Sequence, residues 1–564
     1  MKLQLEQRSA DVLVVGGGGA ASRAALSARQ AGADVRLLTK AAFRAGGSTV
    51  HGSSEIMSMG AAGFGSSDDS RDIHYEDTLR AGRGFIDESL VRVLANDAPE
   101  RIKDLIQLGV PFEKEGKDLK LIKSDFGSHA RALGVKGRTG KAFVEALSQA
   151  LVTSGVHIDE GIALVDLLRD VEGSIAGVLA YDVNRQMLVQ YLAPSVILGT
   201  GGLHSAFELQ ASTAEMTGDG QAICYRHGAE LVNLEFHQLG PALVHPYTQL
   251  FSGSAFRLYP KLLDVHGREF LRDYLPSDVT LQETYEEKGF PFTTNNVSRY
   301  IDISMAREAQ QGRGGPHGGV FFSFAHCTPE DLQRVLPNTG RWTKAWGIDL
   351  GSDTLEVGVV FQCMNGGVRM ADGNAQSTLP GLFVIGELAG GVRGPDRPGG
   401  NSLAEGQVFG HRSGTAGARL AAATKTRAPV VNLDATLDDV HAMLARPTRS
   451  GAISELGGRL RHAMQRDCLC EKTAQGLGIA LQTAQEIQAE AMQNLGATPE
   501  TLMDLLSLRN MALSGELVLR ACLNRTETRS GHYRLDYPDT DVALTHSFVL
   551  QRRDGDVQFR THSY

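Results

Sequence analysis

The chain has 564 residues, of which 42% are hydrophobic and 21% charged, and its formal net charge is −9. This composition is typical of a folded globular protein and excludes disordered and fibrous classes. The acidic balance argues against a nucleic-acid-binding surface, because phosphate contacts require a basic patch. The sequence shows neither a secretory signal nor an apolar run approaching the ~20 residues of a membrane span. We therefore expect a cytoplasmic protein without a membrane span.

The first forty residues predict a strand, a turn, a helix and a second strand. Residues 11–15 and 35–39 are short apolar runs of the kind that forms buried strands. Residues 20–31 are rich in alanine and end at Gly32, as a helix does when glycine follows its last turn. A strand–helix–strand unit of this length carries parallel strands. The sequence thus predicts an α/β fold of the Rossmann type.

The turn between the first strand and the helix is a dinucleotide-binding fingerprint. Gly16, Gly18 and Ala21 occupy the small-residue positions of the G-x-G-x-x-G/A pattern. The amides at the start of the helix would then face a pyrophosphate. Thr39 and Lys40 stand where an acidic residue would bind the ribose of NAD. This difference argues against NAD as the cofactor but is compatible with FAD.

The rest of the chain predicts three regions. Residues 72–110 and 138–155 have the apolar spacing of helices, 171–189 that of a hairpin or meander, and 195–198 that of a buried strand. We assign the FAD-binding domain to residues 1–235 plus 351–424, an inserted α+β capping domain to 236–350, and a C-terminal helical domain with a terminal hairpin to 425–564.

Six cysteines occur and none forms a C-x-x-C pair, so we expect reduced thiols and no metal site.

Several motifs recur in a fixed order along the chain. They are 198–202 (LGTGG), 217–220 (TGDG), 235–237 (EFH), 263–274 (LDVHGREFLRDY), 308–314 (EAQQGRG), 394–406 and 527–538 (ETRSGHYRLDYP). On these segments the chain resembles, over almost its whole length, the flavoprotein subunits of succinate dehydrogenase and fumarate reductase, together with L-aspartate oxidase.

The resemblance implies FAD as the cofactor. Asp219 and Glu387 match acidic contacts of the family, and Ser402 and Leu403 match the backbone beside the flavin ring. Ser48 stands where succinate dehydrogenases carry a histidine linked covalently to FAD, so we expect non-covalent FAD, although His51 lies three residues away. The residues that we expect to contact FAD are Gly16, Gly18, Gly19, Ala20, Ala21, Thr39, Lys40, Ser48, Thr49, Asp219, Glu387, Asn401, Ser402 and Leu403.

The resemblance also implies a carboxylate substrate whose carbon exchanges a hydride with the flavin. Arg397 matches a carboxylate-binding arginine, and His237 a substrate-contacting histidine. Arg257 is the best match to the arginine that moves the substrate proton, although its flanking residues differ from the family pattern and Lys261 competes with it. We therefore expect Arg257, His237 and Arg397 to be catalytic.

Two departures from the family pattern concern charge. Gln362 replaces a histidine that contacts a substrate carboxylate, and Arg393 stands where the family often has histidine. We expect Gln362, Arg393, Arg397 and His237 to bind a small anionic, dicarboxylate-like substrate other than simple succinate. The alternatives are an amino-acid oxidase of the aspartate-oxidase type producing an iminodiacid and H2O2, a flavin-bearing subunit that needs an iron–sulfur or other electron-acceptor partner, and an enzyme in which sulfite adds to the flavin.

Overall fold

A five-stranded parallel sheet forms the centre of the molecule. The computed structural model describes residues 2–65, 67–424, 428–553 and 555–564. The strand order is Leu382–Val384, Ser195–Leu198, Val12–Val15, Val35–Thr39 and His157–Glu160. The strands Val12–Val15 and Ser195–Leu198 are buried along their whole length, as expected when helices cover both faces of a parallel sheet. The prediction of a Rossmann-type α/β unit agrees with this sheet.

Two long helices pack against one another beside this sheet. Gly19–Gln30 starts at the glycine turn, and Asn401–Ala423 lies against it. A side chain at Gly414 would place its Cβ 2.2 Å from the carbonyl oxygen of Ala24, so only glycine permits this close approach. The other helices of this region are Ser48–His51, Arg71–Gly82, Glu88–Gln107, Thr139–Ser154 and Asp219–Arg226. The helical stretch expected over 72–110 is therefore two helices, because Arg83 and Gly84 both adopt positive φ.

Smaller sheets complete the region that carries the parallel sheet. The stretch expected as a hairpin over 171–189 belongs to a four-stranded sheet ordered Leu5–Ser9, Met187–Leu192, Ile175–Asp182 and Ile162–Arg169. A three-stranded sheet joins Ser58–Gly60, Ala132–Gly134 and Leu121–Ile122, and a two-stranded one joins Lys114–Glu115 and Asp118–Leu119.

The inserted region forms a cap with its own five-stranded sheet. Its strand order is Gln249–Leu250, His237–Leu243, Thr354–Met364, Val320–Ser323 and Lys261–Leu263. The strand Thr354–Met364 lies in this sheet, so the cap continues past the boundary that we expected at residue 350. The helices of the cap are Gly253–Phe256, Leu281–Glu286, Arg299–Gln310, Pro329–Val335 and Pro337–Ala345.

The C-terminal region is helical and ends in a hairpin. Its helices are Leu433–Ala445, Ala452–Met464, Ala474–Gln493 and Leu502–Asn524. The expected start of this domain at residue 425 lies outside the described residues. The hairpin Ser547–Arg553 and Asp556–His562 pairs with Leu231–Val232, and the same sheet continues through Gly367–Arg369 and Ala389–Gly390. None of the described helices is both long and apolar enough to cross a membrane.

Candidate active site

A long cavity runs from the parallel sheet to the cap. One end is lined by the glycine turn and by residues that follow the strand Val35–Thr39, and the other by cap residues and the loop before the helix Asn401–Ala423. The predicted cofactor residues that line it are Gly16, Gly18, Gly19, Ala20, Thr39, Lys40, Ser48, Thr49, Asp219, Glu387, Ser402 and Leu403. Of the predicted substrate residues, Arg397 and Gln362 line it.

The glycine turn brings two strand–helix connections into contact. Gly16 has φ +130°, and a Cβ there would lie 2.2 Å from the carbonyl oxygen of Gly199. Ala21 does not line the cavity, because its methyl group packs against this contact instead. Gly18 caps the helix without a side-chain hydrogen bond, and the amide of Gly19 donates to Thr49 Oγ1 over 3.3 Å. The N-terminus of this helix therefore lies at the cavity with the positive end of its dipole, which suits a pyrophosphate.

We expect Gly16→Ala to unfold more easily and to lose its cofactor. The added methyl group would collide with backbone and would also force alanine into positive φ, so the free energy of unfolding should fall by more than about 2 kcal/mol. Gly32→Ala is the matched control, because Gly32 has φ +92° but nothing within 4 Å of its Cβ position. Thermal denaturation and bound-cofactor absorbance measure both variants. Equal losses in the two would contradict this account of the turn.

The end of the cavity next to Val35–Thr39 is held by a partly buried ion pair. Lys40 Nζ lies 2.9 Å from Asp219 Oδ2 and also donates to Ser507 Oγ over 2.7 Å. Asn510 Nδ2 donates to the other oxygen of Asp219 over 2.9 Å. Ser507 and Asn510 belong to the C-terminal helix Leu502–Asn524. This helix thus helps to fix the charges at this end of the cavity, a role that no local sequence pattern indicates.

Ser48 and Glu387 face each other across the middle of the cavity. Ser48 Oγ donates to Glu387 Oε2 over 3.3 Å, and the amide of Met364 donates to Glu387 Oε1 over 2.9 Å. His51 does not line the cavity: it is exposed, and its Nε2 lies 2.7 Å from the carbonyl oxygen of Ala45.

The N-terminus of the helix Asn401–Ala423 opens onto the cavity through Ser402 and Leu403. The prediction that Asn401 contacts the cofactor does not agree with the structure. Its side chain turns away, accepting a hydrogen bond from His74 Nε2 over 2.8 Å and donating to Thr78 Oγ1 over 2.9 Å. Asn401 therefore anchors the helix to its neighbour rather than contacting the cavity.

Arg397 is the cation at the cap end of the cavity. It is 9% exposed, and Nη2 donates to Gln238 Oε1 over 2.7 Å. Among the described residues, no carboxylate forms an ion pair with Arg397, and Nε has no hydrogen-bond partner. A buried guanidinium without a carboxylate is costly unless an anion joins it. The site is therefore built to receive a negatively charged group.

The strand His237–Leu243 presents Gln238, not His237, to the cavity. Gln238 lines the cavity at 2% exposure, and its Nε2 has no hydrogen-bond partner among the residues that the structure describes. His237 points to the opposite side, where its Nε2 donates to the carbonyl oxygen of Leu469 over 3.2 Å. Burial, assisted by the charge of Lys472, lowers the pKa of His237 to about 3. The interpretation of His237 as a substrate-contacting residue is therefore not supported, because adjacent strand residues face opposite sides of a sheet.

Arg393 does not reach the cavity either. Its Nε lies 3.0 Å from Glu405 Oε2, Nη1 donates to Met364 O over 2.8 Å, and Nη2 donates to Ala389 O over 2.7 Å. Each nitrogen of the guanidinium thus has a partner inside the protein. The interpretation of Arg393 as a substrate-binding cation therefore does not agree with the structure.

The two candidates for the proton-transfer cation also lie off the cavity. Arg257 is exposed, and its Nη1 donates to the carbonyl oxygen of Tyr285 over 2.6 Å. Lys261 is about half exposed and pairs with Glu269 over 2.8 Å. Neither lines the cavity. The arrangement thus does not support either residue as a group that contacts the substrate.

Asp125 lines the cap end of the cavity instead. Its loop is fixed beside Arg397, because the amide of Gly399 donates to Asp125 O over 3.0 Å and Ser124 Oγ donates to Gly399 O over 2.8 Å. Burial raises the pKa of Asp125, while the amide of Phe290 and the charges of Lys288 and Arg257 partly offset that rise. A carboxyl group with a raised pKa in a cleft holds its proton more readily than an ordinary aspartate, which suits a proton-transfer group.

Comparison with known proteins decides the family. Residues 11–403 match the family described as FAD binding domain, and residues 458–564 match the family described as fumarate reductase flavoprotein C-term. The chain is 30% identical to a subunit of the fumarate reductase (CoM/CoB) of Methanothermobacter marburgensis, with 98% of each chain covered. The chain belongs to the succinate dehydrogenase and fumarate reductase flavoprotein family. The predicted resemblance is thus confirmed.

Two further relatives of this flavoprotein span nearly the same length. It is 29% identical to L-aspartate oxidase of Streptomyces coelicolor, over 98% of this chain and 93% of that one. The solved structure of Mycobacterium smegmatis Sdh1 in complex with UQ1 covers 99% of this chain and 95% of that chain, at 28% identity and a TM-score of 0.84. The protein is an FAD-dependent oxidoreductase, and FAD is its cofactor, as expected.

The cavity of this flavoprotein fits FAD. The contact between Gly16 and Gly199 leaves no room for side chains where the two turns meet, and the helix N-terminus at Gly18 and Gly19 suits the pyrophosphate. Sequence reasoning missed Gln238 and Asp125. Gln238 is one residue from the histidine that we chose, and strand alternation is the signal that could have found it. Asp125 lies in a loop without a motif, so the sequence offered no comparable signal.

Proposed function

We propose that this protein transfers a hydride between FAD and a carbon next to the carboxylate of a small anionic substrate. The observation that carries the proposal is Arg397, a buried cation in the cavity without a carboxylate partner among the described residues. Guanidinium groups bind carboxylates through paired hydrogen bonds, which fixes the orientation of the ligand as well as its position. We assign Arg397 to the substrate carboxylate.

When bound, FAD would accept a hydride or, in its reduced form, donate one. Arg397 and Gln238 hold the carboxylate, and the charge of Arg397 stabilises negative charge that develops next to it. Asp125 gives or takes the proton on the neighbouring carbon, in place of Arg257. Gln362 adds an uncharged hydrogen-bonding contact. Leu250, Phe290 and Pro291 also line this end of the cavity, and such apolar walls limit the access of water.

Anaerobic half-reactions test the proposal. Saturated carboxylates are added to the oxidised holoenzyme, and 2-enoic acids are added to the dithionite-reduced holoenzyme, while the visible absorbance of the flavin is followed. We expect bleaching in the first series or recovery of absorbance in the second. A flavin that responds to dithionite and oxygen but to no carboxylate in either direction would contradict the proposal.

An amino-acid oxidase is the second candidate. The cavity holds the carboxyl group of Asp125 together with Arg397, an arrangement that can also accept an ammonium and a carboxylate on one substrate. Aerobic turnover of an amino acid with formation of H2O2 would favour this candidate. Bleaching by a carboxylic acid that lacks an amino group, with no H2O2 formed from amino acids, would exclude it.

We further propose that FAD is held without a covalent bond, because Ser48 cannot form the histidine link and His51 lies outside the cavity. Denaturation in acid should therefore release all the flavin, leaving a colourless protein pellet and a yellow supernatant. His51→Ala is the control, and it should behave in the same way. A coloured pellet from the parent protein that becomes colourless in His51→Ala would contradict the prediction.

A further inference from the structure

The cap end of the cavity contains one cation among the described residues. Arg397, Lys40 and Arg44 are the cationic residues that line the whole cavity. Lys40 is paired with Asp219, and exposed Arg44 follows it in the chain, so both belong to the end next to the strand Val35–Thr39. A site that holds two carboxylates in a buried cleft needs a cationic partner for each, because burial of an unpaired charge is strongly unfavourable.

The charges of Lys288 and Arg257 act on Asp125, but among the described residues no cation of the neighbouring elements lines the cap end of the cavity besides Arg397. Arg393 pairs with Glu405 and donates hydrogen bonds to backbone carbonyl groups. Lys288 is 1% exposed and pairs with Asp302 over 2.6 Å, so its charge is matched inside the cap. Arg257 is exposed and bound to the carbonyl oxygen of Tyr285. Among the described residues, therefore, no arginine or lysine in the wall near Gln362 supplies the positive charge that this residue lacks.

The donors that are free at this end suit one carboxylate. Nε of Arg397 and Nε2 of Gln238 are both buried, and both lack a hydrogen-bond partner in the part of the chain that the structure describes. The hydrogen bond from Arg397 Nη2 to Gln238 Oε1 fixes the amide so that its Nε2 remains available. A guanidinium and an amide next to each other can donate to the two oxygens of a single carboxylate.

The rest of the cap end is neutral, apolar or acidic. Phe290 is part of the wall, and its ring lies 2.5 Å from the position that a Cβ at Gly240 would take, so glycine at 240 is what admits the ring. Leu250 adds a second apolar surface. Asp125 lies at the same end, and its carboxyl group repels a second carboxylate whenever it is ionised.

We infer that the substrate carries a single carboxylate and an uncharged second end, with the carboxylate on Arg397 and Gln238 and the second end against Phe290. The inference rests on the proposed function and narrows its substrate class from small anionic carboxylates to monocarboxylates. Gln362 thereby becomes a residue that determines specificity.

Matched ligand pairs test the inference by binding, without turnover. Crotonate carries a methyl group where fumarate carries its second carboxylate. Butyrate and succinate differ in the same way. Each acid is titrated into the oxidised holoenzyme, with changes in the flavin spectrum and calorimetry as readouts. We expect crotonate or butyrate to bind at least tenfold more tightly than its dicarboxylate partner. Tighter binding of fumarate or succinate would overturn the inference.

Substitution of Gln362 provides the reverse test. Gln362→Arg adds the missing cation, so its affinity for fumarate should rise at least tenfold relative to the parent protein. Gln362→Met is the matched control, because it removes the amide but adds no charge, and it should show no such gain. Retained flavin content and melting temperature establish that both variants fold. A well-folded Gln362→Arg without any gain for fumarate would overturn the role of residue 362.

Failure of the inference is distinguishable from failure of the proposed function. Arg397→Met is titrated with the same four acids. If the substitution weakens binding of every acid while the parent protein prefers dicarboxylates, the carboxylate site stands and only the single-carboxylate inference fails. If the substitution changes no affinity, Arg397 does not bind the carboxylate and the proposed function fails with it.

Discussion

Replacement of Arg397 by methionine is expected to lower kcat/KM by about 10²–10³-fold, a loss of roughly 3–4 kcal/mol in transition-state stabilisation. Methionine keeps much of the side-chain volume but removes the charge and the donors that face the cavity. The bound flavin should remain, because Arg397 contacts Gln238 and the cap end rather than the glycine turn. Steady-state kinetics on the acid identified by the half-reactions, together with flavin content, measure this change.

Arg257→Met is the matched control for Arg397→Met. It removes an arginine from the same cap, but one that is exposed and bound to a backbone carbonyl outside the cavity. We expect its kcat/KM to fall far less than that of Arg397→Met, because Arg257 does not line the cavity and acts on Asp125 only through its charge. A loss in Arg257→Met as large as that in Arg397→Met would contradict the assignment and would restore Arg257 as the proton-transfer residue.

Replacement of Asp125 by asparagine should lower kcat by about 10²–10⁴-fold, the range that general acid–base catalysis contributes. Asparagine keeps the shape of the side chain but can neither give nor take the proton. The pH profile provides the specific readout. In the direction that reduces the substrate, the parent activity should fall as the pH rises through the raised pKa of Asp125, because the protonated form is required. This fall in activity with rising pH should be absent from the pH profile of Asp125→Asn.

The same carboxyl group links pH to stability. Because burial raises the pKa of Asp125 in the folded protein, its contribution to the free energy of unfolding is complete below the ordinary aspartate pKa. The contribution is lost as the pH rises through the raised value. Asp118→Asn, on an exposed strand of a two-stranded sheet, is the control for kinetics and stability. A pH profile of Asp125→Asn that keeps the parent's fall in activity with rising pH would exclude Asp125 as the proton-transfer group.

Local patterns were sufficient for the cofactor end of the site. The glycine turn and the short apolar runs on either side of it specify a strand, a close backbone approach and a helix start within about thirty residues. The structure follows this prediction to within a residue, with a strand at Val12–Val15 and a helix at Gly19–Gln30. Lys40 and Asp219 lie in the cavity as expected, although their mutual ion pair could not be inferred from residues so far apart.

The substrate end required information that the sequence does not hold locally. A shift of one residue along a strand moves a side chain to the other face, which is why His237 was chosen and Gln238 is the residue in the cavity. Arg393 was chosen by its position in a motif, yet its environment of Glu405 and carbonyl groups makes it structural. Asp125 reaches the site through a loop that contacts Gly399, far along the chain.

The cap boundary illustrates the same limit. The strand Thr354–Met364 pairs with His237–Leu243 on one side and with Val320–Ser323 on the other. Its burial and apolar character resemble those of strands in the parallel sheet, so composition alone does not say to which sheet it belongs. Long-range pairing decides the assignment, and it brings Gln362 and Cys363 into the cavity.

A crystal structure of the holoenzyme with an unreactive monocarboxylate bound tests the central claim most directly. The account predicts one carboxylate oxygen within hydrogen-bond distance of Arg397 Nε, the other on Gln238 Nε2, and the uncharged end of the ligand against Phe290. A ligand whose carboxylate lies away from Arg397, or whose uncharged end lies away from Phe290, would contradict it.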